Sequence, residues 1–201
     1  MREFARRNAL LIMNLTLLIL TSCVPGGPTR APRPVPSPAA LTRLLLDTSA
    51  MPDGWHVSQG PEEYPKPQGQ EDGMYVGYST EDFGSPTLHI VLRYEDKQYA
   101  ARKYKQYLPA YFDSVGRLTS WKSPSSLTHR SEIADQFRSE CADFETLDIS
   151  ARKYTMCVTM AQYEKYVSIF ITYIAEGVMN YADLEDILQA IDKRMLTYLE
   201  V

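Results

Sequence analysis

The sequence predicts an α+β domain, an antiparallel β-sheet of about five strands with helices packed on one face. Segments in which apolar and polar residues alternate recur along the chain, and short turns join several of them as hairpins. The C-terminal segment instead repeats its apolar residues at the helical period. Together these patterns predict the order helix, two strands, helix, three strands, helix.

The folded domain is predicted to begin near Ser37, which can cap a helix whose first turn suits Pro38. Three leucines give this helix an apolar face: Leu41, Leu44 and Leu45. A turn is predicted at Met51–Gly54, and Trp55 after it is expected to cover the edge of the core.

Two strands follow a Gly-, Pro- and Glu-rich stretch, residues 58–73, which predicts a loop. Alternating apolar residues mark the strands at Met74–Tyr78 and Leu88–Tyr94, with a turn at Asp82–Pro86. The acidic residues in and beside the loop are interpreted as solvated in preference to a calcium site: Glu62, Glu63, Glu71 and Asp72.

A helix is predicted from Glu95–Asp96 onward, and Pro109 is expected to kink or end it. Its apolar residues fall at helical spacing: Ala100, Tyr104, Tyr107, Leu108 and Tyr111. The tyrosine stripe Tyr104, Tyr107 and Tyr111 is interpreted as core packing with hydroxyls at the rim, in preference to a ligand-binding face.

The last three strands are predicted at Ala134–Phe144, Tyr154–Met160 and Val167–Tyr173. The final helix is expected to be capped by Asn180, with Asp183 in the capping-box position. Its apolar face is the clearest amphipathic pattern in the chain: Leu184, Ile187, Leu188, Ile191, Met195 and Tyr198. This element order is similar to the PsbP-like fold and to exported sensor domains, a similarity that implies architecture and not function.

The N-terminus carries the most specific motif. A positively charged start precedes a short apolar run, Ala9–Leu20, as in secretory signals. The run ends in Leu20-Thr21-Ser22-Cys23, which resembles the lipobox of bacterial lipoproteins, over residues 1–23. This resemblance implies cleavage after Ser22 and a diacylglycerol on the Cys23 thiol.

A transmembrane helix is the alternative, but the run would span only about 18 Å of a hydrocarbon core of about 30 Å. We therefore expect a signal peptide (1–22), a lipidated cysteine with a Pro-rich tether (23–38) and one α+β domain (39–201). Because Val24 is not aspartate, the family rule places the protein at the outer membrane of a two-membrane cell. In a cell with one membrane, it lies on the outer face of the plasma membrane.

Cleavage leaves 18 basic and 24 acidic residues, so a nucleic-acid partner is not expected. It also leaves two cysteines beyond Cys23, an even number that favours a disulfide in an exported protein. If the hairpin turns about Ile149, then Cys141 and Cys157 lie opposite each other, about 4.5–5.5 Å apart at Cα. The alternative is a pair of free buried thiols.

No residue set predicts a reaction. The histidines at positions 56, 89 and 129 lack metal-ligand spacing, and nucleophile-elbow, phosphate-loop and Cys-x-x-Cys motifs are absent from the sequence. We expect a non-enzymatic, lipid-anchored envelope protein, without cofactor or metal, that binds a partner or small ligand. The alternative is an envelope hydrolase or other enzyme with a dispersed site, which a carboxylate within hydrogen-bond reach of His89 would favour.

Overall fold

The computed structural model describes residues 38–65, 72–81, 83–113, 120–143 and 154–199. The predicted signal peptide, the lipidation site at Cys23, nearly all of the tether and the Ser37 cap lie outside these residues. None of the helices in the described ranges is long and apolar enough to cross a membrane.

Among the described residues, one antiparallel sheet organises the domain, and three α-helices and two 3-10 turns accompany it. The helices are α1 Pro38–Leu41, α2 Lys97–Phe112 and α3 Tyr181–Leu199, and the 3-10 turns are Thr42–Leu44 and Thr48–Ala50. The strands are β1 His56–Glu63, β2 Asp72–Thr80, β3 Phe83–Arg93, β4 Gln136–Asp143, β5 Thr155–Tyr163 and β6 Tyr166–Ile174. Their order across the sheet is β1-β2-β3-β6-β5-β4, which confirms the α+β class.

The sheet has six strands, so the prediction of about five was wrong by one. The missing strand is β1, most of which lies in the stretch predicted to be a loop, residues 58–73. β1 occupies a sheet edge, is exposed along nearly its whole length and pairs with β2 through two register shifts. A strand that buries neither face shows no alternation of apolar residues, so its sequence resembles a loop.

Helices cover both faces of the sheet, and the prediction of helices on one face was wrong. Ile90 and Leu92 pack with α2 residues, whereas Val91 between them packs with α3 residues. We call these the α2 face and the α3 face. The α3 face carries more polar side chains than the α2 face, which is typical of a sheet face without helices, but these side chains are buried in cross-strand hydrogen bonds. The pairs are Thr87–Thr172 at 2.8 Å, His89–Ser168 at 3.0 Å and Ser139–Thr159 at 2.6 Å.

Helix α2 begins as predicted, since Asp96 accepts a 2.7 Å hydrogen bond from the Tyr99 backbone N–H. Pro109 does not end the helix, which continues to Phe112; the N–H of Asp113 still donates to the Pro109 carbonyl at 2.9 Å. The tyrosine stripe packs on the core as predicted, but the Tyr104 hydroxyl does not reach the rim, since it is buried and donates to the Met160 carbonyl at 3.4 Å. Tyr104 is 3% exposed, and the Tyr94 hydroxyl donates to that of half-buried Tyr107 at 3.2 Å.

Helix α3 has the predicted cap. The Asn180 side chain accepts from the backbone N–H groups of Ala182 and Asp183 at 2.7 and 3.0 Å. The Asp183 carboxylate accepts in return from the Asn180 N–H at 2.8 Å, which completes the capping box. The predicted apolar face is buried, apart from half-buried Tyr198.

The β4–β5 hairpin has the predicted register, and Cys141 and Cys157 are paired in it and joined by a disulfide. The centre of its loop lies outside the described residues. In the β5–β6 hairpin the sequence predicts a turn at Tyr163–Glu164 that sets Met160 opposite Val167. The structure instead has a two-residue turn at Glu164–Lys165 and pairs Met160 with Ile169, so the predicted register was wrong by two residues. Glu164 adopts φ +50°, the backbone conformation that such short hairpin turns require. A shift of two preserves the faces, so the bridge still lies on the side of Phe170 and Thr172.

Candidate functional site

A groove of about 730 Å³ lies between the two 3-10 turns and the C-terminal half of α3. We call it the α3 groove. Its surface is mostly apolar, and three basic side chains contribute to it. The lining residues are Arg43, Ser49, Ala50, Ala190, Lys193, Arg194, Thr197 and Tyr198. Its volume lies within the range of about 300–1,000 Å³ that is typical of small-molecule sites.

Arg194 fixes the relative positions of the two walls. Its Nη1 donates to the Leu45 backbone carbonyl at 2.8 Å, and its Nη2 forms an ion pair with Asp47. Asp47 in turn caps the second 3-10 turn, accepting from the Ser49 N–H at 3.0 Å and from the Ser49 hydroxyl. The Ser49 hydroxyl and Arg194 lower the pKa of the Asp47 carboxyl below its usual value. The groove is therefore held in place without a ligand.

The groove is basic although the whole chain carries a formal net charge of −4. No Asp or Glu is among its lining residues, while Arg43, Lys193 and Arg194 are. Asp47 offsets the charge of Arg194. Within the described ranges, Arg43 and Lys193 form no ion pair and are exposed to solvent. Two cations therefore remain available to an anionic ligand.

The apolar part of the groove comes from Ala50, Ala190 and the Tyr198 ring. Tyr198 packs edge-on against Tyr166, with ring centroids 5.6 Å apart, so its position is fixed from the sheet side. The aliphatic stems of long basic side chains add to such a surface while their charged ends reach water. The arrangement suits a ligand with one apolar part and one anionic part.

His89, which the sequence offered as a possible base, is not in the groove. It is fully buried on the α3 face, where Nδ1 accepts the Leu46 N–H at 3.1 Å. Nδ1 is therefore unprotonated, and Nε2–H donates to the Ser168 hydroxyl at 3.0 Å. In the part of the chain that the structure describes, neither ring nitrogen contacts a carboxylate. The ring attaches the N-terminal segment to the sheet, which is a structural role.

Burial of His89 predicts a pH dependence of stability. Desolvation, and secondarily the charge of Arg194, lowers the pKa of His89 to about 3, against about 6.5 in an unfolded chain. Between these values the unfolded state binds a proton that the folded state excludes, so stability falls as pH falls below about 6.5. From pH 7 to pH 5, this linkage is expected to remove about 2 kcal/mol of unfolding free energy.

Urea denaturation of wild type and His89→Gln at pH 7, 6 and 5 measures this effect. The variant is expected to be less stable at pH 7 but to lose less stability on acidification. His56→Gln is the matched control, because His56 is exposed, and it should keep the wild-type slope. Parallel pH curves for wild type and His89→Gln would contradict the assignment.

A second polar cluster, which the sequence did not indicate, surrounds Asp192 on α3. Its Oδ1 accepts from the Tyr163 hydroxyl at 2.6 Å and from the Ser131 hydroxyl at 2.8 Å. The His129 Nε2 lies 3.3 Å from Asp192 Oδ2. Although this set contains Ser, His and Asp, both hydroxyls donate to the carboxylate. A nucleophilic triad instead requires histidine between the hydroxyl and the acid. The cluster holds His129 and Ser131 against α3.

The other predicted site residues lie elsewhere. Cys23 is outside the described residues, and the Cys141–Cys157 bridge is buried in the core of the α3 face. No group of three or more His, Cys, Asp or Glu residues with the proximity to hold a metal ion occurs in the described ranges.

Sequence reasoning missed the α3 groove, although half of it has a sequence signal. The α3 contribution is spaced i, i+3, i+4, i+7, i+8, along the border of the apolar face, to which only Tyr198 of these five belongs: Ala190, Lys193, Arg194, Thr197 and Tyr198. This spacing places the five residues on one stripe of the helix. The opposite wall, with Arg43, Ser49 and Ala50, has no comparable pattern.

Comparisons with known proteins leave the family open. No family model matches the chain, and no curated protein matches it. Among solved structures, a protein from Bacteroides thetaiotaomicron VPI-5482, determined at 1.50 Å, is similar with a TM-score of 0.32 and 11% identity. The match covers 69% of this chain and 41% of that one, so the matched part is less than half the length of the solved protein.

Proposed function

We propose that the chain is a lipid-anchored protein of the bacterial cell envelope, whose domain binds a small ligand or partner and performs no catalysis. The observation that carries the binding role is the α3 groove, which combines an apolar surface with cations that lack ion-pair partners among the described residues. The lining residues include no histidine, cysteine or carboxylate to serve as general base. This chemistry supports binding in preference to covalent catalysis.

The alternative is a hydrolase with a dispersed site. It was predicted to pair His89 with a carboxylate, and the described surroundings of His89 contain hydrogen bonds to a backbone N–H and a serine instead. His129 and Asp192 form a histidine–carboxylate contact, but Ser131 bonds the acid and not the histidine. The binding role therefore has the better support.

The anchor half of the proposal makes a direct prediction. In cells fed an alkyne analogue of palmitate, the wild-type chain is expected to take up label and to fractionate with membranes. Cys23→Ser is expected to lose both properties, because the thiol is the predicted attachment atom and stable anchoring needs more than one lipid chain.

The matched control is Cys141→Ser/Cys157→Ser, which removes the other two cysteines and should keep the label at equal protein amount. Labelled, membrane-bound Cys23→Ser would overturn the lipoprotein assignment. Gel fluorescence of immunoprecipitated protein, compared with its immunoblot, provides the measurement.

A further inference from the structure

The ligand class follows from what the α3 groove combines. Arg43 and Lys193 are exposed cations that form no ion pair with another described residue, and they line a cavity on a chain with a formal net charge of −4. Cations of this kind raise the local concentration of anions. Arg43 in addition carries a planar guanidinium, the group that binds a carboxylate through two parallel hydrogen bonds.

The apolar surface of the groove favours a ligand with an apolar part over a purely ionic ligand. A free inorganic anion would leave Ala50, Ala190 and the Tyr198 ring exposed to water. A molecule with an aliphatic part would cover them and gain roughly 25 cal/mol for each Å² of apolar surface removed from water. The groove volume, about 730 Å³, suits one such molecule.

We propose that the α3 groove binds a single-chain anionic amphiphile, an aliphatic chain that carries one carboxylate. The tail lies along Ala50, Ala190 and Tyr198, and the carboxylate lies between Arg43 and Lys193. Arg194 positions the two walls through Leu45 and Asp47. This inference rests on the proposed function, because it names the ligand class of the same groove in a protein held at a membrane.

The test uses the full chain in isolated envelopes and a photoreactive probe. The probe is hexadecanoate carrying a diazirine and an alkyne, and two further probes have the same tail with a neutral hydroxyl or a trimethylammonium head. After irradiation, mass spectrometry maps the labelled residues. We expect the carboxylate probe to label residues 43–50 and 190–198. Its labelling should exceed that of the trimethylammonium probe on the order of tenfold, because the head group's contacts with Arg43 and Lys193 change from attractive to repulsive.

The double variant R43Q/K193Q is expected to lose carboxylate labelling on the order of tenfold, down to the level of the hydroxyl probe. K105Q is the matched control, because Lys105 is an exposed lysine on α2 outside the groove, and it should label as wild type. Both substitutions lie on the surface, and circular dichroism verifies that the variants remain folded.

The proposal would be overturned by equal labelling with the three probes, by label only outside the groove, or by undiminished labelling of R43Q/K193Q. Labelling that appears only after residues 24–37 are deleted would assign the groove to the chain's own proline-rich segment, and would overturn it too. Competition by vesicles of phosphatidylglycerol but not by free hexadecanoate would assign the groove to the membrane surface. If the carboxylate probe does not label the groove of wild-type protein that is lipidated at Cys23, the proposed ligand class is wrong, whereas the proposed lipid anchor is unaffected.

Discussion

Asp72→Asn is expected to lower the free energy of unfolding by about 3 kcal/mol, because it removes the carboxylate that forms an ion pair with a buried guanidinium. Asp72 is paired with Arg93 across β2 and β3, and its carboxylate forms an ion pair with the guanidinium. The Arg93 side chain is 0% exposed, so water cannot replace the lost charge. Asparagine keeps the shape of aspartate and removes only its charge.

A double-mutant cycle separates the ion pair from other contacts of these two residues. Asp72→Asn/Arg93→Met removes both charges and is expected to be more stable than Asp72→Asn alone, since a well-packed apolar side chain replaces the buried cation. Glu63→Gln is the control, because it removes one exposed carboxylate on the adjacent strand. Urea titrations at pH 7 of wild type, Asp72→Asn, Arg93→Met and the double variant give the four free energies of the cycle. Equal losses for Asp72→Asn and the Glu63→Gln control would contradict the assignment.

The correct sequence predictions depended on local chemistry. The Asn180–Asp183 capping box and the Asp96 cap need only neighbouring residues, and both are present. The register of the β4–β5 hairpin followed from two cysteines that have to meet. In each case one short segment specifies its own geometry.

Predictions that depended on contacts between residues on different elements were less accurate. Thr87 and His89 alternate along β3 with apolar residues, a pattern typical of a solvated face, but each has a hydrogen-bonding partner on another element and is buried. The same applies to Asp72, predicted to belong to a solvated acidic stretch but paired with Arg93. A polar residue is buried at low cost only when its partner is present, and sequence order does not reveal the partner.

The α3 groove was missed for a similar reason, because its two walls come from segments that are far apart in sequence. Arg194 bonds the Leu45 carbonyl across 149 positions of sequence, and this contact brings the groove walls together. The basic stripe on α3 resembles an ordinary solvated helix face until the N-terminal 3-10 turns lie beside it. Only the tertiary structure shows that its cations border an apolar cavity.

Removing the disulfide is expected to cost about 3 kcal/mol of unfolding free energy, because the bridge closes a loop of about 15 residues in the unfolded chain. Cys141 and Cys157 are 16 positions apart, with Cα atoms 4.1 Å apart across the hairpin. β4 is an edge strand, and Cys141 also exchanges backbone hydrogen bonds with Lys122, at 2.9 and 3.1 Å. The bridge therefore ties this edge to β5.

Cys141→Ala/Cys157→Ala tests the contribution, with urea titrations run with and without dithiothreitol. Reductant is expected to destabilise the wild type toward the variant and to leave the variant unchanged, which separates the crosslink from the small loss of buried sulfur surface. Protein taken from envelopes without reductant and then denatured should show no free thiol at these positions. Two free thiols there, or a wild type indifferent to dithiothreitol, would mean that the cysteines stay reduced where the protein resides, contrary to export into an oxidising compartment.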